Sequence, residues 1–558
     1  MPVNNNSLFS FILLTAGALS AAVPCAGDAL DVRAYGASGE GVQLDTQAIQ
    51  AAVDACAAQG GGTVFFPAGA YLTGTIFLQS HVRLDLDAGA RILGSTNVQD
   101  YPLQMNGFPS RTDRYCARAL LRGEGLEGVA ITGYGTIDGQ GAQFRDNKAS
   151  GEAYEALLSV YEGTGRYRPN EIFVNRPFLI QLVSCRDIRV ENVHLRCSAM
   201  WMQHYLDCDF VTIRGVSVFN HGCRNNDMID IDCCRNVVIS DCIGDTDDDA
   251  LTLKSTAQQP TEHVVISNCI LRSHCNALKA GTESSGGFKD ITITNCVIQR
   301  SEVDECRTGR REGLAGIALE IVDGGSLERV TISNIAIQDT SAPLFLRLGN
   351  RARPHRPGAP KPEVGVFRDV RISNVVATGA GVTGCAIAGL PGHPIENVSL
   401  SNIRIAFHGG AAAEDAVAEV PELEAQYPEC VMFGTLPAYG FYCRHVDGLT
   451  LNNIDLSYAA ADPRPALVTD DVKALRVDGF SAKAEPDARA QIRLSQTRDA
   501  LITGCKAAAS ETFLKLEAGC AELSLIGNEL SRARRPFVLD ASLREATLHA
   551  VSNRLRGD

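Results

Sequence analysis

Asp227, Asp248 and Asp249 are the residues of this chain whose type and spacing point to chemistry. They sit in two short stretches, NNDMIDID and DDDALTLKS, with Asp227 and Asp249 22 positions apart. Two further stretches, CNALKAGT and GIALEIV, repeat the same apolar slots: Ile229 and Ile231, Leu251 and Leu253, Leu278 and Ala280, Ile317 and Leu319. Alternate side chains of a strand point to opposite faces, so inward-facing Ile and Leu leave the residues between them outside. Two solvent-facing columns are therefore expected, one of Asp230, Thr252, Lys279 and Ala318, the other of Asp232, Lys254, Gly281 and Glu320. Asp227, then Asp248 and Asp249, then Asn276 stand at the strand entrances. Carboxylates crowded in this way push one another's protonation apart, and an acid and a base opposed across a glycosidic bond can hydrolyse it. The plainer uses of such aspartates are to cap strand entries or to bind calcium. Crowding like charges costs stability unless function requires it, which favours the acid–base reading.

Those columns need strands stacked in register, and the sequence supplies them. One pattern, apolar-x-apolar-x-Asn-apolar-x-apolar, recurs at Ile188, Val211, Val237, Val264, Ile291, Val330, Val370, Val398, Leu449, Leu475 and Leu523, with Gly in the Asn slot at Val211, Leu475 and Leu523 and Asp at Val237. The slot falls at residues 192, 215, 241, 268 and 295, spacings of 23, 26, 27 and 27. Later gaps of 39, 40 and 51 read as one turn plus an inserted loop. This is the signature of a solenoid of parallel strands, in which each rung buries an apolar face that it could not bury alone. Asn and Gly suit the sharp corner, so the marker residues are assigned no chemistry.

Before the clear rungs, Asp45 is placed as the N-cap of a helix through Ala57 with Ala48, Ile49, Ala52, Val53 and Cys56 on one face. Such a helix would cover the open end of the solenoid. The expected organisation is an export signal over residues 1–26, a cap with first rungs over 27–124, and a β-helix catalytic domain over 125–558. The signal reading rests on the apolar run from Phe9 to Val23, too short for a stable membrane span, and places the protein outside the cytoplasm. No other stretch is apolar enough to suggest a membrane span. A net charge of −14 argues against nucleic acid as a partner. Of the 19 cysteines, Cys242, Cys269 and Cys296 follow the marker in successive rungs and should stack inside the coil as small hydrophobes. No CxxC pairs with a second CxxC or with spaced His, so zinc is not expected.

With NNDMIDID followed one rung later by DDDALTLKS, the chain resembles glycoside hydrolase family 28, the polygalacturonase and rhamnogalacturonase family, from the DVRAYGA start to about Asp455. The resemblance implies a right-handed parallel β-helix of the all-β class, and hydrolysis of a pectic poly- or oligosaccharide with inversion. It implies Asp248 as general acid, Asp227 and Asp249 as the carboxylates that activate water, no metal and no organic cofactor; a monomer is expected. Two departures carry consequences. Cys275-Asn276-Ala277 stands where the family usually has Gly-His-Gly, and His274 lies off the column. Ala318-Leu319-Glu320 replaces the Arg-Ile-Lys that grips a uronate carboxylate, so a different pectic linkage is expected, with a neutral residue next to the scissile bond.

Substrate contacts are assigned to Lys254, Lys279, Asn276, Trp201 and His204; for Trp201 and His204 core packing is the competing reading, and for the lysines a solvated face. The insertion at 403–452, with Tyr427, Phe433, Tyr439 and Tyr442 in or beside it, either walls one end of the groove or packs on the coil. The loop with Arg347, Arg351, Arg353 and Arg356 either meets anionic sugar or is solvated. Two other classes remain open: a polysaccharide lyase, which would pair calcium-binding acids with a basic catalytic residue, and a non-catalytic carbohydrate-binding β-helix, which would have no reason to cluster the three aspartates.

Overall fold

The structure, a computed structural model, describes residues 29–115, 118–487, 490–544 and 547–557. The expected export signal lies outside the described residues. Strands with apolar residues at alternate positions pair in parallel from Leu30–Asp31 at one end to Leu548–Val551 at the other, forming one wall of a parallel β-helix. Pairing crosses residues 124 and 125 without a break, because Glu127–Gly133 pairs with both Val82–Leu86 and Arg186–Glu191. A second wall stacks Ala119–Glu124, Phe178–Val183, Gln203–Leu206, Ile229–Asp232, Leu251–Ser255, Leu278–Ser284, Ala315–Ile321 and Ala342–Leu348. The acidic stretches lie on this wall. Their inward residues, among them Ile229, Ile231, Leu251, Leu253, Leu278, Ile317 and Leu319, belong to one core that runs the length of the coil.

The corners explain the marker. Asn192, Gly215, Asp241, Asn268, Asn295, Asn334, Asn374, Asn402 and Asn453 all have φ between 51° and 63°, the left-handed region that Asn, Asp and Gly enter at least cost. Their side chains also bond vertically: Nδ2 of Asn334, Asn374, Asn402 and Asn453 each donates to Oδ1 of the Asn below, at 3.1, 2.9, 2.9 and 2.9 Å. Cys242, Cys269 and Cys296 are buried beside this ladder as expected, and every cysteine among the described residues is free.

The capping helix spans Thr46–Ala58 and buries Ile49, Ala52, Val53 and Cys56. Asp45 holds the N-cap position but does not cap with its side chain. Its carboxylate turns instead to the preceding loop and accepts from the backbone N–H of Ser38 at 2.7 Å and of Gly39 at 3.2 Å. Among the described residues no helix is long and apolar enough to cross a membrane.

The long gaps are loops, as their lengths imply, and they return to the coil. Residues 301–314 lie against the rung of His274, residues 349–353 against Thr282 and Glu283, and residues 422–429 against Lys279 and Arg347.

Candidate active site

The register places His204 beside Asp230, Asp230 beside Thr252, Thr252 beside Lys279, and Lys279 beside Ala318. Asp232 is beside Lys254 in the second column. The first column therefore forms as the alternation requires; the second forms as far as Lys254, where the register shifts between Leu253 and Ser255. Neither faces open solvent. Asp230, Asp232, Thr252 and Glu320 are fully buried, and Lys254 and Lys279 are each 4% exposed. The reason is tertiary: loops from distant parts of the chain cover the wall. Trp201 packs on Tyr115 and Phe178, with Lys254 Nζ 4.5 Å from its ring centre. Tyr427 lies over Lys279, 5.7 Å from Nζ to the ring centre, and Arg351 lies 5.4 Å from the same ring.

The two lysines divide the acids between them. Lys254 Nζ lies 3.6 Å from Asp227 Oδ2, 3.2 Å from Asp230 Oδ1 and 4.0 Å from Glu283 Oε2. Lys279 Nζ lies 3.0 Å from Asp249 Oδ2, 3.6 Å from Glu429 Oε1 and 4.0 Å from Glu320 Oε2. Burial alone would discharge an ammonium, but the surrounding carboxylates outweigh it and hold both lysines charged. Expected as exposed sugar-binding cations, they are instead internal counter-ions of the site.

Asp227 and Asp249 are neighbours across the rungs, since Met228 N–H donates to Asp249 O at 3.1 Å. Asp248 is the half-buried member of the trio; Asp227 is 2% and Asp249 4% exposed. Its backbone carbonyl is clamped by hydroxyls, Thr246 Oγ1 at 2.7 Å and Ser273 Oγ at 2.6 Å, and its Oδ1 accepts from Asp249 N–H at 2.9 Å. Asn276 occupies the strand entrance on the next rung and donates to Asp249 Oδ1 at 2.8 Å and to Glu429 Oε2 at 3.3 Å. Its own Oδ1 accepts from Ala315 N–H at 3.1 Å, so the amide is fixed in orientation.

These surroundings separate the three carboxyls. Burial and then the Asp249 charge push Asp248 up to about 6. Burial, Asp230 and Asp248 push Asp227 well above the carboxylate range. Burial would raise Asp249 too, but Lys279, Lys254 and the Asn276 amide outweigh it and keep it below its usual value. The expectation had Asp227 and Asp249 alike; the structure makes Asp249 the firmly ionised one, because it has the closer lysine and the amide.

His204 does not reach the groove. It is fully buried, stacked on Phe178, with Nε2 3.2 Å from Asp232 Oδ2. Asp232 also accepts from Thr256 N–H at 2.9 Å and Oγ1 at 2.7 Å, so this pair braces the wall behind the site. Trp201 is 5% exposed and supports Lys254. Of the four aromatic residues flagged around the insertion, Tyr427 covers the site, Phe433 lies against Arg347, and Tyr439 and Tyr442 pack on the coil. Arg347 is buried and bonded to carbonyls of Gly389 and Glu422. Arg351 and Arg353 converge on Asp323, and Arg353 also holds Glu283; Arg356 is exposed. The residues that sequence reasoning missed, Glu283 and Glu429, come from a strand end and from the inserted loop. Asn276 and Glu429 are 153 positions apart, and no local pattern marks that contact.

One oxygen each of Asp248 and Asp249 and the Cys275 sulfur lie within 4.8 Å of one another, a spacing that could hold a metal. The Lys279 ammonium and the Asn276 amide already occupy Asp249, so that carboxylate has its counter-charge within the protein. What remains is a wall on which burial and neighbouring charge raise Asp248 and Asp227 while Lys279, Lys254 and Asn276 keep Asp249 ionised, a separation of proton affinities that acid–base hydrolysis uses.

The profile described as "Glycosyl hydrolases family 28" matches residues 56–425. A probable polygalacturonase of Vitis vinifera is 30% identical over 245 residues, 42% of this chain and 46% of the relative. An exo-poly-alpha-D-galacturonosidase of Dickeya chrysanthemi is 25% identical over 260 residues, 42% of this chain and 43% of the relative. The matched segments thus span under half the length of these relatives. Among solved structures, an exopolygalacturonase from Thermotoga maritima superposes with a TM-score of 0.55 at 22% identity, covering 68% of this chain and 87% of that one. A polygalacturonase from Erwinia carotovora gives 0.50 at 19%, covering 65% and 90%. Both support the parallel β-helix. With the profile covering the coil that carries all three aspartates, the chain belongs to glycosyl hydrolases family 28.

Proposed function

We propose that this protein is an exported hydrolase of pectic glycans that cleaves with inversion, with Asp248 as general acid and Asp249, assisted by Asp227, as the base that activates water. The observation that carries the reading is the pairing on one wall of a half-buried Asp248, which burial and the Asp249 charge raise to about 6, with a buried Asp249 held 3.0 Å from Lys279 Nζ. In the reaction Asp248 gives its proton to the leaving glycosidic oxygen. Asp249 takes a proton from water as that water attacks the anomeric carbon from the opposite face. Asp227 Oδ1 is buried and makes no hydrogen bond within the protein, which leaves it free to orient that water. Asn276 acts as a positioning residue in the slot where relatives of this family usually carry His.

The cations near the acids are already spent: Lys254, Lys279, Arg351 and Arg353 each pair with carboxylates. A uronate at the cleaved position would find no unpaired partner among them. Beside the acid, Arg145, Lys148, Arg176, Arg224 and Arg307 line a cleft of about 390 Å³. Arg176 in that cleft feels the charge of Asp248, and it donates to carbonyls of Ala199 and Arg224. The substrate we favour therefore has an acidic residue in the arginine cleft and a neutral residue against Lys254 and Lys279, as an alternating pectic chain would.

Product analysis on a panel of pectic oligosaccharides tests this. Proton NMR of a fresh digest should show the first hemiacetal with inverted configuration, and retention would contradict the assigned roles. Purified polygalacturonate should react more slowly than rhamnogalacturonan fragments. Products that absorb in the ultraviolet, together with loss of activity on chelation, would point instead to a lyase.

A further inference from the structure

Three polar residues outside the groove hold the same place on successive rungs. His221 follows strand Ser217–Asn220, Asp247 follows Ile243–Thr246, and His274 follows Ile270–Ser273. The register Asn220 beside Thr246 and Thr246 beside Ser273 stacks them. One donor atom from each lies within 4.8 Å of the other two. All three are buried: His221 is 8%, Asp247 1% and His274 0% exposed.

The far side of each ring is already fixed. His274 Nε2 lies 2.8 Å from the carbonyl oxygen of Val303, which can only accept, so that nitrogen carries hydrogen. His221 Nε2 lies 3.0 Å from Asp245 Oδ1, and Asp245 is held in turn by Ser301 Oγ at 2.6 Å and Glu302 N–H at 3.0 Å. Carboxylate or carbonyl partners on the distal nitrogen are the usual support of a metal-binding imidazole, because they fix the ring and its tautomer. The near side is not satisfied. His221 Nδ1 and Asp247 Oδ2 are buried without any hydrogen-bond partner. His274 Nδ1 faces Asp247 Oδ1 at 3.1 Å, and that oxygen already accepts from Arg307 N–H at 2.8 Å. In a neutral ring this sets a nitrogen lone pair against a carboxylate, which repels unless a positive charge stands between them.

We propose that His221, Asp247 and His274 bind one divalent cation of the zinc class. Two imidazoles and a carboxylate are a borderline donor set that suits zinc, and three protein ligands leave a fourth position open. Donors sharing one zinc are roughly 3.3 Å apart at tetrahedral geometry with bonds near 2.0–2.1 Å, so side-chain shifts alone close the site. The cation ties three rungs and the loop at 301–314 together through Asp247, the residue that precedes Asp248. The ligands lie 26 and 27 positions apart, one rung each, so the spacing that marks the fold also marks the site.

The test uses the full chain, stripped with chelator and then dialysed against zinc or titrated with cobalt. Elemental analysis should find about one zinc per chain, cobalt should give a visible absorption band that zinc displaces, and zinc should raise the melting temperature. His221→Gln and Asp247→Asn should each abolish the band, whereas Asp249→Asn should leave it intact. Failure of the stripped wild-type protein to take up either metal would overturn the proposal and assign the cluster to a His274 imidazolium paired with Asp247. Metal uptake unchanged in folded His221→Gln, or lost in Asp249→Asn, would also overturn it. If a ligand variant does not fold, the wild-type titration decides. None of these readouts depends on glycan cleavage, so the metal site and the proposed reaction stand or fall separately.

Discussion

Two ladders climb this solenoid in the same register, and they are built on opposite terms. At the corners, identical neutral amides stack from Asn295 through Asn334, Asn374 and Asn402 to Asn453, each joined to the next by one amide–amide hydrogen bond at the surface. On the second wall, acids and lysines stack in buried columns, and several of their atoms, including both oxygens of Glu320 and the Thr252 hydroxyl, make no hydrogen bond within the protein. A repeated amide satisfies its neighbour by being the same residue, so repetition alone stabilises the first ladder. Repeated charge repels, so the second holds only because Lys254 and Lys279 are inserted and loops cover it. Where a solenoid abandons self-complementary stacking for buried charge, it gives up stability for chemistry.

The comparison can be broken most sharply at Asp248. Asp248→Asn should cost activity about 10²–10⁴-fold, the usual worth of a positioned proton donor, with the melting temperature nearly unchanged. Assays on the preferred pectic oligosaccharide alongside thermal melts check both halves, and activity within tenfold of the parent would remove Asp248 from its role. Next in size is Lys279→Met, which strips the counter-ion from Asp249, Glu429 and Glu320. Removing one partner from a buried ion group costs about 3–5 kcal/mol, and denaturant unfolding should show a loss of that order.

A pH series sharpens the contrast further. Burial raises Glu429 to about 7, with Lys279 opposing and Asp249 adding to the rise; burial likewise raises Asp230 to about 7 against the pull of Lys254. Glu429 faces Lys279, Asp249, Asp248 and the Asn276 amide. Both carboxyls hold protons in the folded state that the unfolded chain has lost above its ordinary carboxylate range, about 4 to 4.5. Stability should therefore fall as pH rises from that range through about 7. Melting temperatures across this window should decline, and Glu429→Gln should flatten the decline. The smallest effect belongs to the amide ladder. Asn334→Ala puts a Cβ-bearing residue without a polar side chain at φ 59° and should cost about 1–2 kcal/mol while leaving activity unchanged.

The fold was legible because its determinants are local and repeated. Alternation sets which face is buried, and the left-handed corner demands Asn, Asp or Gly at one slot, so spacing alone yields the rungs and the first column, while the register shift after Leu253 interrupts the second. The same logic placed Asp227, Asp248, Asp249 and Asn276 on adjacent rungs. What the columns face was not legible. The expectation of solvent-facing lysines failed because Tyr115, Trp201 and Tyr427 lie over the wall, and His204, stacked on Phe178 and against Trp201, was covered for the same reason. Glu429 reaches Asn276 from an inserted loop whose path no periodicity constrains.

By itself, then, the sequence determined the coil, its corners and which carboxyls share a wall, since each follows from a period of two within strands and one turn between them. The tertiary structure alone decided which of those carboxyls keeps its proton. That depends on burial and on the few ångströms separating Asp249 from Lys279 and Asp227 from Lys254, distances set by loops closing over the wall rather than by the repeat beneath it.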